Sequence, residues 1–350
     1  MKNNPFSLSF GIEPLRYISR ESQIQEIYDS FNNVNPTNYL YLISGIRGSG
    51  KTVTLSNVAE KFSENEKWIV VNVTPDVDIV NSIAAKLYSQ NELKKLFIKA
   101  KLDLTVFGLG ISIEGGNQIF DIGTALEKML SAINKSGKRV IVTIDEVVNN
   151  EYVRVFASTF QLLLREKLPI FLVMTGLYDN IYNLQNEKTL TFLYRAPKII
   201  LQPLRISAIA RSYEEVFSIN TNMAGEMAQL TKGYAYAFQV LGYLYWKNNI
   251  DQKGSGELSE LMTQYDEYLE EYVYEKIWME LSAKEREILA QIPPDGEIQV
   301  SQLREKLDMS SNMMSVYRDR LKKQGILDTS KYGWLSFALP RFGNIIQYWV

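Results

Sequence analysis

The sequence of 350 residues contains no cysteine and no histidine. The first absence removes disulfides and thiolate metal sites, and the second removes imidazole as base, nucleophile or ligand. Any hydrolytic base must then be a carboxylate. Nor is there an uninterrupted apolar run near the ~20 residues needed to span a bilayer, and the amino terminus MKNNPFSLSFG lacks the apolar core of a signal peptide. A marked excess of either charge is missing as well: 38 Lys and Arg stand against 40 Asp and Glu, a formal net charge of −2, with an isoelectric point near 5.6. With 46% hydrophobic and 22% charged residues, the expectation is a cytoplasmic protein of two or three domains with no membrane partner.

What is present begins with Gly45-Ile46-Arg47-Gly48-Ser49-Gly50-Lys51-Thr52, which follows the apolar stretch Tyr39 to Ile43 directly. The run fits the phosphate-binding pattern G-x-x-x-x-G-K-[ST], and Val53 to Phe62 continues at helical spacing with Leu55, Val58, Ala59 and Phe62 on one face. Glycines let the chain leave the strand without Cβ clashes, so that amides from Gly45 through Val53 can face a phosphate at a helix start. Lys51 then reaches the β- and γ-phosphates of ATP or ADP, and the Thr52 hydroxyl serves Mg²⁺. A second, independent signal is Arg139 to Glu146, RVIVTIDE. Its apolar run reads as a parallel strand buried on both faces, with two carboxylates at the ligand end. Asp145 fits the metal-shell position and Glu146 the group that directs water.

Alternating strands and helices cover the first two hundred residues, so the expected architecture is α/β, a P-loop NTPase with a parallel sheet. Residues 102–114, LDLTVFGLGISIE, suggest a hairpin insert. The strand Pro169 to Thr175 ends in a hydroxyl, placing Thr175 either as a sensor of the γ-phosphate or as the close of a turn. Arg195, just before the strand Lys198 to Leu201, is either an arginine finger or a surface charge.

The ordered set FSLSFGIEP, Ser19-Arg20, GIRGSGKT, VIVTIDE, FLVMTGL, TFLYRAP, ILQPL and KGYAYAFQVLGY resembles prokaryotic AAA+ ATPases. The resemblance is to the origin-recognition-like, archaeal-type branch that borders the STAND signalling ATPases. It implies ATP hydrolysis, assembly of copies on ATP binding, and an adenine pocket lined by Tyr17, Ile18 and Arg20. At the lid this sequence departs from the branch: Lys232 to Gln239 reads KGYAYAFQ, where relatives place Gly-x-Pro or a sensing Arg. Lys232 is the one charge available to replace it.

A helical lid is expected from Ser207 to Asn248, then a polar linker at 248–257 and an acidic helix at 258–281 with its carboxylates on a solvated face. From Ser282 two short helices, a Ser-capped helix at 311–324 and a turn at Lys331-Tyr332-Gly333 read as an α+β winged helix-turn-helix. Domain boundaries are thus 1–204, 205–281 and 282–350. In a major groove Asn312, Ser315 and Arg318 would meet bases, Lys322 and Lys323 phosphates, and Lys331 would sit on the wing. Residues 301–350 carry eight Lys and Arg against four acids, which favours double-stranded DNA. Residues 257–287, however, carry ten acids against three bases. Two functions remain at this stage: an ATPase coupled to DNA, or a nucleotide-dependent switch that signals by oligomerisation and protein contacts.

Overall fold

In the computed structural model, residues 3–9, 11, 13–105, 117–118, 121–252 and 254–350 are described, the side chains of residues 103, 117 and 118 excepted. The chain divides into two compact units: residues 20–44 with 51–200, and residues 201–350 with Gly45–Gly50 and the described residues before Arg20.

The first unit runs α1 (Glu21–Asn32), β1 (Leu40–Ser44), α2 (Lys51–Ser63), β2 (Trp68–Val73), α3 (Ile79–Ser89), α4 (Asn91–Lys99), β3 (Leu102–Asp103), β4 (Asn117–Gln118), α5 (Ile122–Lys135), β5 (Arg139–Ile144), α6 (Glu151–Arg165), β6 (Ile170–Gly176), α7 (Tyr178–Gln185), α8 (Thr191–Tyr194) and β7 (Lys198–Ile200). Five strands form one parallel sheet in the order β2-β5-β6-β1-β7. Every residue of β1 and β6 is buried, as continuous β-rich apolar runs require when helices cover both faces. The helices are started by local chemistry: Asp78, Asp121 and Asn150 each accept a backbone N–H three residues on, a cap worth about 1 kcal/mol. One apolar cluster, from Leu40 in β1 to Leu193 in α8, fills this unit. Of the expected hairpin at 102–114, residues 106–114 lie outside the described residues; β3 and β4 on either side pair in parallel.

The second unit holds α9 (Ile206–Phe217), α10 (Thr221–Leu230), α11 (Ala235–Tyr245), α12 (Met262–Leu269), α13 (Glu275–Glu280), α14 (Ala283–Ala290), β8 (Ile298–Gln299), α15 (Val300–Lys306), α16 (Ser311–Lys323), β9 (Leu327–Asp328), β10 (Trp334–Phe337) and α17 (Phe342–Ile346). The helical region follows the parallel sheet as the α/β reading expects. Tyr213, Phe217, Phe238, Leu241, Leu244 and Tyr245 are buried in one cluster that continues into residues 273–346. The acidic stretch is not one helix, because a 3₁₀ turn at Leu258–Leu261 and a π-helical turn at Glu270–Tyr274 interrupt it. Its carboxylates are not all solvated either. Asp266 takes a two-pronged ion pair from Arg341, and Glu270 accepts the Trp349 indole N–H. The apolar positions of this stretch, Tyr265, Leu269, Val273, Tyr274 and Ile277, are buried, and their packing draws neighbouring acids toward partners.

At the carboxyl end, β10 lies between β8 and β9 in an antiparallel sheet. Ser282 and Glu285 form a reciprocal capping box at the start of α14, and Ser310 caps α16. Among the described residues no helix is long and apolar enough to cross a membrane.

Candidate functional site

Strand register brings the polar residues of the first unit together. Ile144 of β5 is level with Met174 of β6, so Asp145 and Thr175 arrive side by side at the carboxyl edge, where ligands bind in open parallel sheets. The Thr175 hydroxyl donates to Asp145 Oδ1 and accepts the Glu146 N–H at 3.2 Å. Thr52, in the first turn of α2, donates its hydroxyl to Asp145 Oδ2 at 2.7 Å. Both carboxylate oxygens of Asp145 are thereby fixed, one by each threonine. Thr175 is 0% exposed, and its hydroxyl is spent on neighbours as donor and acceptor at once.

Glu146 is exposed and has φ +51°. A non-glycine residue in the left-handed region costs about 1–3 kcal/mol and concentrates at functional positions. The bonds from its N–H to Thr175 and to Asp145 Oδ1, the latter 3.0 Å, hold that backbone in place. The side chain is left in solvent. Lys51 opens α2 and is 7% exposed. Arg195 follows α8 and is exposed, while Arg20 precedes α1 and is half-buried, its guanidinium pushed down from its usual value by burial. Asp145 and Thr52 offer a carboxylate and a hydroxyl on adjacent atoms, an all-oxygen pair that suits a hard divalent cation.

In the second unit, Gly45–Gly50 forms a turn closed by Ser49 N–H to the Ile46 carbonyl at 3.1 Å. Gly48 and Gly50 have φ +75° and +89°. A Cβ on Gly45 would lie 2.5 Å from Ser49 Oγ, so the loop leaves no room for side chains there. Arg47 pairs with Glu280 at 2.9 Å. The Arg47 carbonyl accepts the Tyr234 hydroxyl at 2.6 Å, and the Gly48 carbonyl accepts the Tyr236 N–H at 3.0 Å. Sequence reasoning missed Tyr234 and Glu280. The signal for Tyr234 was the unusual KGYAYAFQ run, read there only for the charge it lacks.

Lys232, the expected substitute for a sensing arginine, turns elsewhere within this unit. Its ammonium donates to the Phe337 carbonyl of β10 at 3.1 Å and faces Asp295 and Asp328, while desolvation lowers its pKa. Tyr17 and Ile18 are half-buried, next to Arg16, which anchors the segment on Ser212 and Glu215 of α9. On α16, Asn312, Lys322 and Lys323 are exposed and Ser315 and Arg318 half-exposed. Arg318 pairs with Asp319 at 3.3 Å, and Lys331 pairs with Glu297 and lies over the Trp334 ring.

Both the sequence and the fold have counterparts among known proteins. Residues 17–176 match the family described as "ATPase domain predominantly from Archaea", and residues 271–346 match a domain of unknown function, DUF8462. No curated protein matches the sequence. Among solved structures, Cdc6p from Pyrobaculum aerophilum is 15% identical, with a TM-score of 0.50 over 99% of this chain and 96% of that one. The ORC2 protein of Aeropyrum pernix, solved as ADPNP-ADP complexes, is 14% identical, with a TM-score of 0.59 over 94% of this chain and 92% of that one. At such identities the likeness establishes the fold, and the fold is that of Cdc6/ORC-type AAA+ proteins.

Proposed function

From an ATPase domain in an origin-recognition-like AAA+ fold, we propose that this chain binds and hydrolyses ATP and couples the cycle to double-stranded DNA. The observation that carries the ATPase half is the set Thr52, Asp145, Thr175 and Glu146, in which two hydroxyls orient the Asp145 carboxylate, the Thr175 hydroxyl takes the Glu146 N–H, and the Glu146 side chain is left in solvent. Lys51 and the amides of Gly45 to Val53 hold the phosphates of ATP before the reaction and of ADP after it. Thr52 and Asp145 hold Mg²⁺, which when bound neutralises charge on the phosphates. Glu146 orients a water in line with the β–γ bond and accepts its proton, in a chain that has no imidazole to do so. Thr175 positions Asp145 and the Glu146 backbone. Arg195, exposed beyond α8, supplies charge to the site of a neighbouring copy on assembly. Tyr17, Ile18 and Arg20 take the adenine side. The protein acts in the cytoplasm with double-stranded DNA as its partner, and residues 1–204, 205–281 and 282–350 act as catalytic, lid and DNA-contacting modules.

The DNA half rests on α16 and the β9–β10 turn as a winged helix, with Asn312, Ser315 and Arg318 toward bases and Lys322, Lys323 and Lys331 toward phosphates. A second reading, a nucleotide-dependent switch acting on proteins, draws on a specific observation. The same helix exposes Met313 (46%) and Val316 (66%), while Arg318 and Lys331 have carboxylate partners. One experiment separates the two: binding of labelled duplex DNA by wild type and Glu146→Gln at fixed salt, with ATP, ADP or neither, with particle size followed in parallel. ATP-dependent DNA retention is the expected result. Assembly driven by ATP without DNA binding would replace the DNA reading with the protein switch.

A further inference from the structure

The phosphate-loop pattern specifies glycines, a lysine and a threonine, but not what holds the loop's carbonyls. In a trans peptide the C=O and N–H of one unit point in opposite directions. With the Arg47 carbonyl drawn to the Tyr234 hydroxyl at 2.6 Å, the Gly48 N–H therefore faces away from Tyr234. The next carbonyl, of Gly48, is held by the Tyr236 N–H at 3.0 Å. Of the two amides concerned, Ser49 N–H closes the turn on the Ile46 carbonyl at 3.1 Å, and Gly48 N–H is the one turned outward, as a phosphate-binding turn requires.

Tyr234 is itself fixed on several sides. It is 5% exposed, and its ring stacks on Tyr274 at 6.2 Å and 24°. The Tyr274 hydroxyl in turn donates to the Pro340 carbonyl at 2.7 Å. Gly233, just before it, has φ +77° and no room for a Cβ, which would meet the Leu204 carbonyl oxygen at 2.5 Å. Contact with the loop is equally close: a Cβ on Gly48 would stand 2.2 Å from the Tyr234 hydroxyl and 2.9 Å from Tyr236 Cβ. Burial raises the Tyr234 hydroxyl well above its ordinary pKa, so it is a donor throughout the working range.

We propose that Tyr234 is a positioning residue for the phosphate loop, setting the 47–48 peptide plane through its hydroxyl while the Tyr236 N–H sets the next. It stands in the lid run where the resembling ATPases place a proline or an arginine. The assignment rests on the nucleotide-binding reading of the loop, and its test is built so that the two can fail separately.

The comparison is wild type, Tyr234→Phe and Tyr213→Phe as full-length proteins. Tyr213 is the control because it also donates from a buried hydroxyl to a backbone carbonyl, that of Phe238 at 2.8 Å, within α9 and α11 rather than at the loop. Each variant loses one buried hydrogen bond and keeps its ring, so both should unfold at similarly lowered temperatures. Amide hydrogen exchange over residues 45–52 without nucleotide should accelerate in Tyr234→Phe alone. In titrations with ATP and Mg²⁺, that variant alone should bind about five- to tenfold more weakly, the loss expected for one buried hydrogen bond. Unchanged loop exchange in Tyr234→Phe, or equal acceleration in Tyr213→Phe, would overturn the proposal. Wild type that fails to bind ATP would overturn the nucleotide reading, and loop exchange would still decide the role of Tyr234.

Discussion

The carboxyl edge of the parallel sheet and the outer face of α16 both gather polar groups, but they spend them differently. At the sheet edge Thr52, Asp145, Thr175 and the Glu146 backbone bond to one another, so each group fixes the next and the one side chain left over, Glu146, points to solvent. Around α16 the charges are taken up one at a time: Arg318 by Asp319, Lys331 by Glu297. Closed sets hold a geometry ready for reaction, whereas scattered exposed pairs contribute little rigidity, each about 0–1 kcal/mol. Removing one member should therefore cost much at the first region and little at the second.

Glu146→Gln should show the largest effect, a fall in ATP turnover of about 100- to 10,000-fold with ATP still bound; unchanged hydrolysis would remove Glu146 from its role. Lys51→Ala should weaken ATP binding by at least about 100-fold, read by titration, since a charge-assisted bond to phosphate is lost along with its buried cation. For Thr175→Val we expect turnover lower by about 10- to 100-fold at little change in ATP affinity, the size associated with partners that orient a metal-holding carboxylate. A drop in affinity as large as the drop in turnover would mean that Thr175 meets the nucleotide itself. Smallest of all, Lys322→Ala should lower the slope of log affinity for duplex DNA against log salt by about one while leaving ATP turnover intact. Lys331→Ala, whose ammonium already pairs with Glu297, should move that slope less. Equal effects of the two lysines would erase the distinction drawn between paired and unpaired charge on this face.

Glu285 qualifies the contrast. It is 0% exposed, caps α14 through Ser282 and pairs with Arg320 of α16 at 3.3 Å, so a buried carboxylate ties the inner side of α16 to α14. Glu285→Ala should lower stability by about 2 kcal/mol, read as a shift of the unfolding midpoint. Only the outward face of α16 behaves as loose surface.

Much of this was legible from runs of neighbouring residues. The glycine turn at 45–50, the buried strand ending in Asp145-Glu146 and the Ser-capped α16 are each written in fewer than about fifteen consecutive residues, the range over which periodicity and capping act. Less legible were the breaks in the acidic stretch at 258–261 and 270–274, since a helical period continues across them. The direction of Lys232 was also hidden. Its charge suggested the nucleotide, but its ammonium bonds to the Phe337 carbonyl, 105 residues away in sequence.

By itself, then, the sequence determined the chemistry available: no thiol, no imidazole, a loop of small residues, and adjacent carboxylates at a strand end. Tertiary structure decided which of those groups meet. Thr52 and Asp145 are 93 residues apart, Asp145 and Thr175 are 30 apart, and Tyr234 lies 187 residues from the Arg47 carbonyl it holds. Such encounters depend on strand register and on packing, which hydrophobic burial selects over the whole chain, and no local pattern encodes them.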